Sequence, residues 1–173
     1  MSNDPLPEQG RANTTGLPPI NLDWAHKDPN TDLPVYLVVN APSDPKRFDP
    51  RGLHWSLSWE VDPGFWRQVN VLEHRRPDQP APNPRYVYWE ALTKSAGPEM
   101  DDAKKIEVAV LSLPERQRVE QLAFQVPVPY PNGRWNCQNW LIDLLKRMVQ
   151  DMLITDEQMD ATLKAARAGE SNS

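Results

Sequence analysis

The stretch that decides the fold is LHWSLSWEV, residues 53–61. Apolar and polar residues alternate strictly along it, and the apolar ones are Leu53, Trp55, Leu57, Trp59 and Val61. Side chains of a β-strand point alternately to its two faces, so this pattern predicts a strand with one buried face. His54 and Ser56 then lie on the opposite, polar face.

Further apolar runs predict strands on either side of this one, at residues 34–39, 86–92 and 106–111. Pro63-Gly64 predicts a turn after the central strand, which makes residues 66–75 its hairpin partner. The connections between these runs are short, and short connections favour antiparallel neighbours. We therefore expect a sheet of about five strands, mostly antiparallel.

Three helices are expected in the second half of the chain. No proline follows Pro131, so the last 42 residues are free to be helical. Residues 112–115 (SLPE) and 155–158 (TDEQ) match the capping box that opens a helix. The third helix begins at Cys137 and carries the widest apolar stripe to about Leu153, so we expect it to pack centrally on the sheet. The fold class predicted is α+β, with an antiparallel sheet, this central cysteine-bearing helix and two further helices.

The chain of 173 residues fits a single domain, which we place at residues 33–169. Residues 1–32 are rich in proline, glycine, asparagine and aspartate, which predicts a flexible N-terminal arm. Trp24 is the candidate anchor of that arm. Residues 170–173 are expected to form a disordered tail.

Charge and composition exclude several classes of function. The net charge is -5 and the densest basic clusters are pairs such as Arg75-Arg76, so we expect no nucleic-acid partner. No apolar stretch approaches the ~20 residues of a membrane-spanning helix. One cysteine cannot form an internal disulfide, and the N-terminus lacks a signal-peptide pattern, which favours the cytoplasm. Neither a metal nor a cofactor is expected, since paired zinc ligands and glycine-rich nucleotide motifs are both missing from the sequence.

Cys137 is the candidate nucleophile. Asn136 is a favoured N-cap residue, so Cys137 is expected in the first helical turn, where free N–H groups and the helix dipole stabilise a thiolate. Such a nucleophile needs a base, and His54 and His74 are the histidines on predicted strands. The alternative interpretations are a structural cysteine in the core and a surface histidine.

Two motifs carry a resemblance to a known group of folds: LHWSL at residues 53–57 and WNCQNW at residues 135–140. Together they resemble the circularly permuted papain-like folds, in which the histidine strand precedes the cysteine helix. These include the lecithin:retinol acyltransferase-like families, the PPPDE isopeptidases and small fungal proteins with His-Trp-x-Leu and Trp-Asn-Cys-x-x-Trp motifs. The resemblance spans about residues 34–155. It implies Cys137 as nucleophile, His54 as base and His74 as the group that orients the base, whereas Gln138 and Asn139 depart from the acyltransferase pattern.

Two functions follow as hypotheses. The first is a cysteine-dependent hydrolase or acyltransferase that cleaves an amide, ester or isopeptide bond through a thioester on Cys137, with a peptide, lipid or small molecule as substrate. The second is a non-catalytic binding or scaffold domain with the same fold. The tryptophans are expected mainly in the core, although they could also line a ligand platform.

Overall fold

The computed structural model describes residues 19–74, 85–129 and 133–168. Its strands are β1 (Leu33–Val39), β2 (Trp55–Asp62), β3 (Phe65–Val69), β4 (Leu72–His74), β5 (Arg85–Val87), β6 (Leu92–Ser95) and β7 (Lys104–Leu111). Its helices are α1 (Pro98–Asp101), α2 (Leu113–Gln125), α3 (Cys137–Gln150) and α4 (Asp156–Ala166), and a 3-10 turn spans Pro50–Gly52. The predicted α+β class is confirmed, with three longer helices besides the short α1.

Five strands form the main sheet in the order β6-β3-β2-β1-β7, and all its pairings are antiparallel. The alternation of residues 53–61 places Trp55, Leu57 and Trp59 in the main core, where each is at most 1 % exposed. We call this side of the sheet, which α2, α3 and α4 cover, the helix face. The other side, which we call the pocket face, carries Val38, Ser56, Ser58, Trp66, Gln68 and Lys94.

The predicted helix starts are confirmed. Ser112 caps α2, Asn136 caps α3 and Thr155 caps α4, each through a side-chain oxygen that accepts a backbone N–H. Leu141, Leu144 and Leu145 of α3 are fully buried in the core cluster with the tryptophans of β2. The cysteine-bearing helix therefore lies centrally on the sheet, as its apolar stripe predicts.

Two of the predicted strands are shorter or divided in the structure. β3 ends at Val69, and β4 pairs with β5 in a separate two-stranded sheet. The strand expected at 86–92 is divided into β5 and β6, because Glu90 between them has a φ of 113°. A non-glycine residue with positive φ breaks the extended conformation, and residue type does not reveal it here. Helix α3 ends at Gln150, earlier than expected, and Met152 turns the chain with a φ of 60°.

Part of the predicted N-terminal arm packs on the domain. Leu22 donates its N–H to the carbonyl of Thr93 in β6 over 2.8 Å, and Asn21 accepts the N–H of Thr93 over 3.0 Å. Asp28 binds Arg116 of α2 and also accepts the indole N–H of Trp59. Residues 19–32 are therefore a strap, held by polar contacts and not by Trp24, which is 75 % exposed.

The remaining predicted flexible segments, residues 1–18 and 170–173, lie outside the described residues, as does the proline-rich stretch 77–84. Within the described part of the chain, every helix is too short or too polar to cross a membrane.

Candidate functional site

The start of α3 is docked on the 3-10 turn that precedes β2. The Gln138 side chain, 1 % exposed, donates its amide to the carbonyls of Pro50 over 2.8 Å and Leu53 over 3.0 Å. Asn136 and Asn139 form a capping box. The side chain of each asparagine accepts a hydrogen bond from the backbone N–H of the other. Gln138 and Asn139, which depart from the acyltransferase pattern, thus fix the position of the helix start.

Cys137 lies in the first turn of α3 with its sulfur turned into the core. The side chain is 7 % exposed, and Sγ lies 3.9 Å from the carbonyl oxygen of Leu53, to which the thiol donates. Backbone N–H groups of Trp55, Gln138 and Cys137 itself also point to the sulfur. The expected environment of the helix N-terminus is therefore present.

The electrostatic outcome nevertheless differs from the predicted thiolate. Burial raises the pKa of the Cys137 thiol, and this effect outweighs the backbone N–H groups that lower it; the nearby carboxylate of Glu73 raises it further. Burial raises the pKa of Tyr86 to about 12, and the neighbouring Cys137 and Glu73 contribute to this increase. Cys137 is therefore a neutral thiol at pH 7, because desolvation disfavours a charged sulfur more than the helix start favours it.

His54 lies on the pocket face, where it binds Asn70 of the loop after β3. The Nδ2 of Asn70 is 3.0 Å from Nε2 of His54. An amide NH₂ only donates, so Nε2 accepts and the ring proton lies on Nδ1. Burial, with a smaller contribution from the charge of Lys94, lowers the pKa of His54 to about 4, so the ring is neutral at pH 7.

Cys137 and His54 are held by different contacts: the Cys137 thiol lies against the Leu53 carbonyl, whereas the His54 ring binds Asn70. Cys137 packs in the core with Trp55 and Leu57, which are on the helix face of β2, whereas His54 shares the pocket face with Ser56. His74 ends β4, and its backbone pairs with Arg85 of β5 in the separate small sheet; its side chain lies outside the described part of the structure. The base and orienting roles of the two histidines stay predictions.

A polar cavity of about 160 Å³ lies instead around His54 on the pocket face. Its polar lining comes from β2, β3, β6, α1 and loops next to the main sheet, and consists of Asn40, His54, Ser56, Gln68, Asn70, Lys94, Ser95 and Glu99. Ser56 and Asn70 are buried, and Ser56 shares a 3.0 Å hydrogen bond with Ser58. Polar side chains of three neighbouring strands therefore converge at a place where several of them are buried.

Lys94 is the cation of this cavity. Burial lowers the pKa of its ammonium group, and the opposing charge of Glu99 at the start of α1 offsets this in part. Among the residues that the structure describes, no carboxylate lies within the 4.0 Å of a salt bridge to Lys94. Lys94 and Asn70 were not among the site residues predicted from the sequence. The available signal was alternation: once β2, β3 and β6 are paired, their polar positions occupy one face.

A second cavity, of about 280 Å³, lies where the end of β1 approaches the end of α4. Its lining is mostly apolar and includes Phe48, Leu53 and Ala166. Lys104 at its rim already donates to the carbonyl of Ala165. This cavity has room for an apolar group but does not assemble the polar side chains that the first one does.

In the described ranges, no three histidine, cysteine, aspartate or glutamate side chains are close enough together to hold a metal ion. Comparison of the chain with protein-family models, with curated proteins and with solved structures gives no match.

Proposed function

We propose that this chain is a non-catalytic binding domain whose pocket, on the pocket face, takes a small polar ligand. The observation that carries the proposal is the cavity of about 160 Å³ around His54, lined by polar side chains from β2, β3 and β6. Its volume is far above the ~10–15 Å³ that one water needs and below the ~300–1,000 Å³ of pockets for drug-sized ligands. A small molecule fits these limits.

The stability of the fold gives a second argument. Ser56, Ser58 and Asn70 are at most 5 % exposed, on a sheet face that could have been filled with apolar residues. Buried polar groups lower stability unless they are hydrogen-bonded, and even satisfied ones contribute less than an apolar core. A polar lining around a cavity is therefore more easily explained by a ligand than by packing.

The chemistry of the lining suits binding better than catalysis. With a pKa of about 4, His54 is a poor general base at pH 7, because an efficient base has a pKa close to the working pH. The neutral ring keeps its Nδ1–H as a donor, and the amides of Gln68 and Asn70 supply donors and acceptors. Such a set orients a polar ligand by hydrogen bonds.

The proposal is tested by NMR of the isotope-labelled chain with a library of small polar compounds: sugars, amino acids, carboxylates and phosphates. We expect a subset of compounds to shift the backbone signals of His54, Ser56 and Asn70. Gln68→Leu removes an amide from the pocket and should weaken that response, whereas Gln117→Leu on the exposed side of α2 should leave it unchanged. A library that moves none of the pocket signals would contradict the binding function.

Thiol chemistry at Cys137 is a second candidate, favoured by the three backbone N–H groups that point to its sulfur. In a cysteine-dependent hydrolase or acyltransferase the sulfur attacks the carbonyl carbon, a thioester forms, and the amine or alcohol leaves with a proton. N–H groups at a helix start can also stabilise the oxyanion of that step. The partner that would remove the thiol proton stays a prediction, with His54 and His74 as the candidates.

Alkylation by iodoacetamide, followed by mass spectrometry across pH, separates the two candidates. A binding domain predicts slow alkylation of Cys137 with a midpoint above the ~8.5 of a free thiol, because burial raises the pKa of this group. Fast alkylation below pH 7 that is lost in His54→Ala would instead support the hydrolase. Cys137→Ser controls for reaction elsewhere on the chain.

A further inference from the structure

The ligand class of the pocket follows from Lys94, the cation among the described residues that line it. This inference rests on the proposed binding function: we infer that the ligand carries an oxyanion, a carboxylate or a phosphate, and that Lys94 binds it. Three features of the molecule support it: the position of Lys94, the contacts of the neighbouring cations, and the donors that line the same cavity.

Lys94 is a half-buried ammonium group at a cavity wall, and the structure describes no carboxylate in salt-bridge range of it. A charge that is partly removed from water loses hydration free energy, and proteins ordinarily offset that loss with a paired charge. The cavity beside Lys94 offers the space in which such a partner can bind. An oxyanion from outside the chain would supply the missing charge.

The other cations near this sheet are already engaged. Lys105, also on the pocket face, donates to the carbonyl of Met100 and lies 6.0 Å from the ring centre of Trp66. Arg67, next to Lys94 in the sheet but on the helix face, forms a two-pronged ion pair with Glu120 of α2. Lys94 differs from both because it lines the cavity and forms no ion pair with a described carboxylate.

Hydrogen-bond donors surround the same space. The Nδ1–H of His54 and the amide groups of Gln68 and Asn70 belong to residues that line the cavity with Lys94. Oxyanions accept several hydrogen bonds, and those from charged donors are the strongest. One ammonium group and several neutral donors around one cavity form a suitable set for a single carboxylate or phosphate.

Glu99 is the acidic residue at this cavity, and its charge opposes an anion. Its side chain is exposed and folds back toward Gly97, where an added Cβ would lie 2.6 Å from its carboxylate oxygen. Water and salt screen an exposed charge much more than a half-buried one. Glu99 therefore opposes an anion in the cavity less than Lys94 attracts it.

Four probes of similar size test the inference: acetate and inorganic phosphate as anions, acetamide and glycerol as neutral compounds. Each is titrated by NMR at constant ionic strength, with the signals of Lys94, His54 and Asn70 as the readout. We expect acetate or phosphate to bind, and acetamide and glycerol to bind at least about tenfold more weakly. Raising the salt concentration should weaken the anions only.

Variants assign the effect to Lys94. Lys94→Met should weaken anion binding by about tenfold or more, and Lys94→Arg should retain most of it because the charge is kept. Lys146→Met, an exposed position on α3, is the matched control and should bind as the wild type does. The NMR spectrum of each variant shows directly whether it is folded.

The outcomes separate this inference from the binding function itself. If acetamide or glycerol binds as tightly as acetate, or if Lys94→Met binds anions unchanged, the ligand class is wrong and the pocket still binds. If none of the four probes moves the pocket signals, the oxyanion inference is overturned. A wider polar library that also gives no response then overturns the proposed function as well.

Discussion

Two cations at the sheet, Arg116 and Lys94, have opposite surroundings. Arg116 is 0 % exposed, and its guanidinium group donates to the carboxylate of Asp28 over 2.8 Å and to three backbone carbonyls. Lys94 is half buried beside a cavity, and no described carboxylate pairs with it. Both groups lose water on folding, but the protein replaces that water only for Arg116.

The difference separates a structural charge from one that is available for binding. Every donor direction of Arg116 is used within the chain, and the result is a fixed strap over the helix face. Lys94 has donors to spare and space next to them. We therefore expect the two cations to respond differently to removal, with a large loss of stability at Arg116 and a small one at Lys94.

Arg116→Met is the substitution with the largest expected effect. It leaves the carboxylate of Asp28, which is 12 % exposed, without its partner, and breaking a buried ion pair costs about 3–5 kcal/mol of unfolding free energy. Urea denaturation measures this loss. The double variant with Asp28→Asn and Arg116→Met should be more stable than Arg116→Met alone, because no unpaired charge then remains. If the losses of unfolding free energy of the two single variants simply add in the double variant, the pairing is contradicted.

Leu144→Ala tests whether core packing on the helix face contributes as much to the unfolding free energy as the ion pair that holds the strap. Leu144 is fully buried between α3 and the sheet, so its truncation should lower the unfolding free energy by about 2–5 kcal/mol. Val110→Ala, at a position 58 % exposed in β7, is the matched control and should change it by less than about 0.5 kcal/mol. A loss at Leu144 as small as that at Val110 would show that α3 is not central.

His54 extends the comparison to pH. Its pKa is about 4 in the folded protein, below the ~6.5 of an unfolded histidine, so the unfolded chain binds more protons between these values. The contribution of His54 to the unfolding free energy should therefore be fully present above pH 6.5. It should fall by on the order of 3 kcal/mol as the pH drops toward 4. His54→Gln should flatten this dependence in urea denaturation. A ring that titrates near 6.5 by NMR would show that it is solvated.

Lys94→Met has the smallest expected effect on the ligand-free protein. Burial already disfavours the charged ammonium group, so its removal should change the unfolding free energy by less than about 0.5 kcal/mol or raise it slightly. Thermal denaturation of the two proteins without added anion measures the difference. A loss as large as that of Arg116→Met would indicate an internal partner for Lys94 and remove the contrast between the two cations.

Local patterns predicted most of the fold. The alternation around Trp55 and Trp59 gave the buried face of β2, and Ser112, Asn136 and Thr155 each cap the helix expected after them. Such signals act within a few residues of chain, where side-chain spacing and orphan backbone N–H groups decide the structure. The strap was not predictable in this way, since Asp28 and Arg116 are 88 residues apart.

The candidate site was less predictable than the fold. A period of two puts His54 on the face opposite Trp55, but the position of Cys137 depends on how α3 docks on this strand, which the spacing does not give. The catalytic roles of Cys137, His54 and His74 therefore stay predictions. The cavity, in turn, needs three strands in register, which one sequence does not show.

The hydrogen bonds between the strap and Thr93 bear on self-association. β6 and β7 are the two edges of the sheet, and an unpaired edge is a template on which another chain can add a strand. Asn21 and Leu22 occupy both backbone groups of Thr93, which blocks continuous pairing along the four-residue β6. Of the two edges of the main sheet, β7 is then the one left open to strand addition in the described part of the chain, and antiparallel pairing of two β7 edges would make a closed, two-fold dimer and not a growing fibre.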